Sequence, residues 1–212
     1  MRTRIVREPR LRLWFLAGVA AAGAAAAAPL DDAIAQFKQK RYAQAEAALE
    51  RVVAADPANA AANYYLGMSI LRAGGPAALD GAHGWLGKAA KLNPGNPAYL
   101  AQYAGVCLLL ADRDSSFTLA LEGRDAMTRA IAGNPGDLEA REGLMRYYAK
   151  APWPLGGGGK ALDQAAEIAR QDPRRGLAAY QTLATLLDKE GRHEAALSAR
   201  QAAQILAAGP AH

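Results

Sequence analysis

The sequence predicts an all-α fold, a solenoid of about five helix-turn-helix hairpins, and three observations carry that expectation. The first is one well-formed two-helix unit from Tyr42 to Gly74, alanine- and leucine-rich, split at Asp56-Pro57 and stopped by Gly74-Gly75-Pro76. The second is recurrence. The pair returns as Asn93-Pro94, Asn134-Pro135 and Asp172-Pro173, with successive prolines 37, 41 and 38 residues apart. Proline cannot continue a helix and stiffens the turn that follows. The third is what comes next: Asn59, Asn96 and Asp137 stand where a new helix needs an N-cap, and Pro97 takes the favoured first helical position. Self-similarity at a fixed period of this size marks stacked helical hairpins.

The chain begins differently. Arg2, Arg4, Arg7, Arg10 and Arg12, offset by Glu8, precede an apolar, alanine-heavy run from Leu11 to Ala28. Ala25 and Ala27 fit a small-residue cleavage site, so 1–28 reads as a secretory signal peptide. The repeat domain is then 29–208, with 209–212 a short tail. The run is mostly alanine and falls short of the ~20 apolar residues a spanning helix needs, which favours cleavage over a retained anchor. No cysteine follows it, which excludes a lipoprotein anchor there, and the arginines stand singly, as on a general secretory route. The expectation is an exported, periplasmic protein. The alternatives are an inner-membrane anchor through an uncleaved leader, and secretion.

Removing the leader changes the charge. The whole chain carries +5, and five arginines less one glutamate put most of that in the leader. A nearly neutral mature chain gives no nucleic-acid footprint. Arg170, Arg174 and Arg175 lie close in sequence, but near a helix end such a cluster reads as a solvated complement to the helix dipole. Cys107 is the only cysteine, so no intramolecular disulfide forms. Its apolar helical surroundings read as a small buried hydrophobe.

The unit resembles the tetratricopeptide repeat. In the second repeat Leu66, Gly67, Ile70, Ala82, Leu86, Ala89 and Pro94 fit that pattern; in the first, Ala45, Leu49 and Pro57 do, while its opening helix (Ala33, Phe37) is degenerate. The third gives Tyr103, Ala104, Cys107, Met127, Ala130 and Pro135, and the fourth Leu144, Tyr148, Ala161, Ala165 and Pro173. A fifth, with Leu183, Ala184, Leu187, Gly191, Ala196 and Ala203, has lost its closing proline. The resemblance covers nearly all of the mature chain and implies a right-handed superhelix. Residues beyond the usual 34 are expected between the two helices of a hairpin, within 74–81, 112–117 and 151–159.

The resemblance also implies a function: first helices lining a concave groove that takes a peptide or partner helix. Carried over position by position, the groove residues are Tyr64, Met68 and Arg72, then Glu142 and Arg146, then Gln181, Thr185 and Asp188. The third repeat offers only Ala98, Ala101 and Gly105, too small to anchor much. A mixed, moderately apolar protein or peptide partner is expected, with no nucleic acid and with self-association as a further reading.

Two other chemistries bear on the chain. Gly157, Gly158, Gly159 and Lys160 open a helix and form an alternative anion-binding or enzymatic loop. It is not a Walker A motif, because Ala161 follows the lysine. The bland reading is an inter-helix turn with Trp153 tucked against the solenoid edge. Catalytic and metal sites are not expected, nor a cofactor: His83, His193 and His212 lie far apart, and no serine sits in a Gly-x-Ser-x-Gly elbow. The chain reads as a non-catalytic interaction scaffold of the bacterial cell envelope, its alanine, glycine and arginine richness looking bacterial and its leader pointing to the envelope.

Overall fold

The repeated Asx-Pro pairs set where the first four hairpins end. In the computed structural model residues 28–208 are described, and the leader 1–27 and tail 209–212 lie outside them. Helices α1 (28–38) and α2 (Tyr42–Ala55) form the first pair, α3 (Ala60–Ala73) and α4 (Ala78–Leu92) the second. The third is α5 (Pro97–Asp114) with α6 (Phe117–Gly133), the fourth α7 (Leu138–Lys150) with α8 (Gly158–Gln171), and the fifth α9 (Pro173–Lys189) with α10 (His193–Ala208). Helices α2 to α10 pack mainly on their neighbours in sequence, the arrangement of a solenoid.

Three of the four junctions share one geometry. Asn59, Asn96 and Asp137 each donate their backbone N–H to the carbonyl of the Asx three residues earlier, at 3.2, 3.2 and 3.0 Å. That closes a β-turn with proline at its second position. Their side chains then cap the next helix, accepting from Ala62, from Ala98 and Tyr99, and from Ala140. The fourth junction is compressed: Asp172 ends α8 and itself caps α9, accepting from the amides of Arg174 and Arg175. Linker carbonyls are reached from the following repeat, Arg129 donating to Pro94 O at 3.0 Å and Gln171 to Pro135 O at 3.2 Å.

Small residues let the helices cross closely. A Cβ on Gly67 would lie 2.8 Å from Leu86 Cγ, so only glycine fits where α3 meets α4. The core runs along the stack in overlapping clusters, from Ala45, Leu49 and Leu66 to Leu183, Leu187 and Ala196. The extra residues are only partly where expected. In the fourth repeat they form the 151–157 loop, but in the third only Ser115 and Ser116 separate the helices, and the surplus lengthens α5 and α6 to 18 and 17 residues. No helix among the described residues is long and apolar enough to cross a membrane.

Candidate interaction groove

A groove of about 960 Å³ lies along α5, α7 and α9, with the start of α6 at its edge. Ala101 and Gly105, one turn apart on α5, keep it open; a Cβ at Gly105 would meet nothing within 4 Å. Its apolar lining comes from Leu108, Leu109, Phe117, Met127, Tyr147 and Leu186. Leu109 and Phe117 are 54% and 56% exposed, which is large for residues of that size. Asp112, Glu139, Glu142, Arg146 and Lys150 supply charge of both signs around them. Lys150 pairs with Asp112 across from α7 to α5, while Glu142 accepts from Arg175 at 2.8 Å and ties α7 to α9. Arg146 is exposed and has no ion pair among the described residues.

Of the residues expected to line a groove, Glu142 and Arg146 meet in this one, together with the small Ala101 and Gly105 of the third repeat. Tyr64 is half-buried and stacked on Tyr99, ring centroids 4.5 Å apart, which closes the space between α3 and α5; burial raises the pKa of its hydroxyl. Met68 is 5% exposed and packs with Ala82, Leu86, Val106 and Leu110, so it is a core residue rather than an anchor. Arg72 is exposed in the last turn of α3, where a cation complements the helix dipole. Gln181 and Thr185 are exposed on α9, and it is their neighbours Thr182 and Leu186 that line the groove. Asp188 is held at the far end of α9 by Arg200 and by His193, the latter at 3.3 Å.

The third repeat was expected to contribute nothing large, yet it supplies the two most exposed apolar side chains of the groove. One signal was present: Leu108-Leu109-Leu110 cannot all face one side of a helix.

Two backbone amides of the glycine-rich loop are engaged within the protein. Gly156 N–H donates to Pro152 O and Gly157 N–H to Tyr148 O, each at 2.9 Å. Lys160 Nζ turns back on the loop, donating to Pro154 O at 3.0 Å above the Tyr148 ring. Gly157, at φ +147°, is glycine for backbone reasons, and a Cβ on Gly158 would lie 2.3 Å from that of Ala195. Gly159 and Lys160 are both exposed. Of these glycines it is Gly158 that seats α8 against α10. Trp153 does not tuck in: it is 87% exposed, next to Pro152 at the groove edge.

Away from the groove, three helices bring together what the sequence kept apart. Donor atoms of His83 on α4, Cys107 on α5 and Glu122 on α6 all lie within 4.8 Å of one another. Cys107 is fully buried, and burial pushes its thiol up to about 11. Tyr103 donates its hydroxyl to Glu122 Oε2 at 3.1 Å.

Most of the chain's path has counterparts among solved structures. A tetratricopeptide-repeat protein described as having an unusual peptide-binding site, YrrB, superposes with a TM-score of 0.67 at 20% identity, over 82% of each chain. The fold is that of tetratricopeptide-repeat proteins. MamA matches equally well, with a TM-score of 0.68 at 20% identity over 85% of this chain and 91% of its own. An O-GlcNAc transferase mutant from Thermobaculum terrenum matches with a TM-score of 0.57 at 21% identity, over 70% of this chain but only 26% of the transferase. No protein-family model and no curated protein matches the sequence. The tetratricopeptide-repeat fold assigns α1, α3, α5, α7 and α9 as first helices, and the groove runs along the last three of these.

Proposed function

We propose that the chain is a non-catalytic protein-interaction module of the bacterial cell envelope that takes a peptide or partner helix in the α5–α7–α9 groove. The observation that carries this is the pairing of Leu109 and Phe117, exposed together inside a concave surface and rimmed by charges of both signs. Apolar side chains seated in a concavity with polar rims are how peptide grooves gain affinity and register. The likeness to YrrB supports the same use of the fold. Export rests on the basic, apolar and small-residue pattern of 1–28, which leaves 29–208 as the working domain.

A photo-cross-linking residue placed at Leu109, in the full chain in its native envelope, tests this. It is expected to trap a discrete partner that the same residue at the exposed Glu50 of α2 does not trap. Identical adducts from both positions would sink the reading.

One further observation favours self-association. Leu197 and Ile205, 55% and 74% exposed, lie eight residues apart on one face of the terminal helix α10. Light scattering is expected to give a concentration-dependent mass that Leu197→Lys with Ile205→Lys returns to monomer. A strictly monomeric wild-type chain contradicts it.

A further inference from the structure

The His83–Cys107–Glu122 cluster lies outside the groove and joins a buried thiol to two polar side chains nearer the surface. Its three side chains come from two successive hairpins, His83 from the second and Cys107 and Glu122 from the third. They offer one imidazole nitrogen, one sulfur and one carboxylate oxygen, the ligand types that zinc and similar borderline divalent ions take. A tetrahedral ion with such ligands holds their atoms about 3.3–3.8 Å apart, so adjustments of roughly 1 Å close the set.

A second observation points the same way. Nε2 of His83 is buried and has no hydrogen-bond partner among the described residues. A ring nitrogen withdrawn from water without a partner is an unmet acceptor or donor, and metal ligation is one way to meet it. Tyr103 holds Glu122 from outside, donating to Oε2 while its ring lies 5.4 Å from that of His83. Hydrogen bonding of a ligating carboxylate by an outer side chain is the usual support for a metal site. Gly87 makes room for this tyrosine, since a Cβ there would sit 3.0 Å from its ring.

We propose that His83, Cys107 and Glu122 bind one zinc-class divalent ion, which clips the second hairpin to the third. On binding, the Cys107 S–H bond breaks, its proton leaves to solvent, and the sulfur bonds the metal. No redox change is involved. Water completes the coordination from the exposed Glu122 side, the pattern of a three-ligand site with one open position. A thiolate and a carboxylate neutralise the ion's two charges, so Lys88 and Lys91, which line the small cavity beside His83, face a site with no net charge.

The test is titration of the chelator-stripped full chain with Co²⁺ and with Zn²⁺. One equivalent of Co²⁺ is expected to bind with a sulfur-to-cobalt charge-transfer absorption, and Zn²⁺ to displace it. Cys107→Ser and His83→Ala, checked for helicity by circular dichroism, are expected to lose the absorption. Tyr103→Phe, which removes only the outer hydroxyl, is expected to weaken binding about tenfold. Sub-stoichiometric uptake, or uptake that Cys107→Ser and His83→Ala leave unchanged, overturns the site. If either variant unfolds, X-ray absorption of the Zn²⁺-loaded wild type decides: one sulfur in the coordination shell supports the site, none overturns it.

Discussion

Replacing Gly176 with alanine is expected to lower stability by about 3 kcal/mol, the upper part of the range for forcing a methyl group into a closed contact. The Cβ would lie 2.2 Å from Cα and 2.3 Å from Cβ of Ala169, and 2.9 Å from its amide nitrogen. Two of those atoms are backbone, so no rotamer change relieves the clash. Helices α8 and α9 have to move apart, which opens the cluster of Ile168, Ala179 and Leu183 on either side. Gly159→Ala supplies the opposite sign. It lies in the first turn of α8 with nothing within 4 Å of the new methyl, so the loss of backbone freedom in the unfolded chain should stabilise by about 0.5 kcal/mol. Urea unfolding followed by circular dichroism reads both. Equal midpoints for Gly176→Ala and the wild type would mean that α8 and α9 do not cross this closely.

That contrast indicates how far the sequence was legible. The hairpin frame was readable because it is written in local terms. Proline breaks a helix wherever it stands, and Asn59, Asn96 and Asp137 cap the residues immediately after them. The glycines were readable as small but not as to purpose. Gly176 and Gly158 are packing contacts with Ala169 and Ala195, at separations along the chain that no local pattern reports. The groove was legible only in part. Family positions located Glu142 and Arg146, which line it, but placed Met68 there when the crossing of α3, α4 and α5 buries it. The two exposed apolar side chains, Leu109 and Phe117, lie on the longer α5 and α6 of the third repeat, and that length appeared in the sequence only as an excess over the period. The His83–Cys107–Glu122 cluster was invisible for the same reason. Its members come from three helices, and spacing rules for metal sites look within one element.

Leu109→Asp and Phe117→Asp are each expected to weaken the partner recovered at the groove by at least about thirtyfold, the factor that corresponds to a hot-spot loss of roughly 2 kcal/mol. Both side chains are more than half exposed, so neither change removes much core, and unfolding midpoints should stay near wild type. Met68→Ala separates the two roles. With Met68 packed against Leu86 and Val106, it is expected to lower stability by about 2–3 kcal/mol through the cavity it leaves. The molecules that remain folded should bind normally. Arg146→Glu belongs with the groove pair: it reverses a charge that no neighbouring acid holds, so it should change partner preference and salt dependence more than stability. Calorimetry or fluorescence anisotropy with the cross-linked partner, beside urea unfolding of each variant, gives both axes. Affinity lost in proportion to stability across all four variants would reduce the groove to a by-product of packing. Affinity lost only at Leu109, Phe117 and Arg146 would fix the binding surface on the third and fourth hairpins, where Leu109 of α5 and Phe117 of α6 stand exposed beside the charged face of α7.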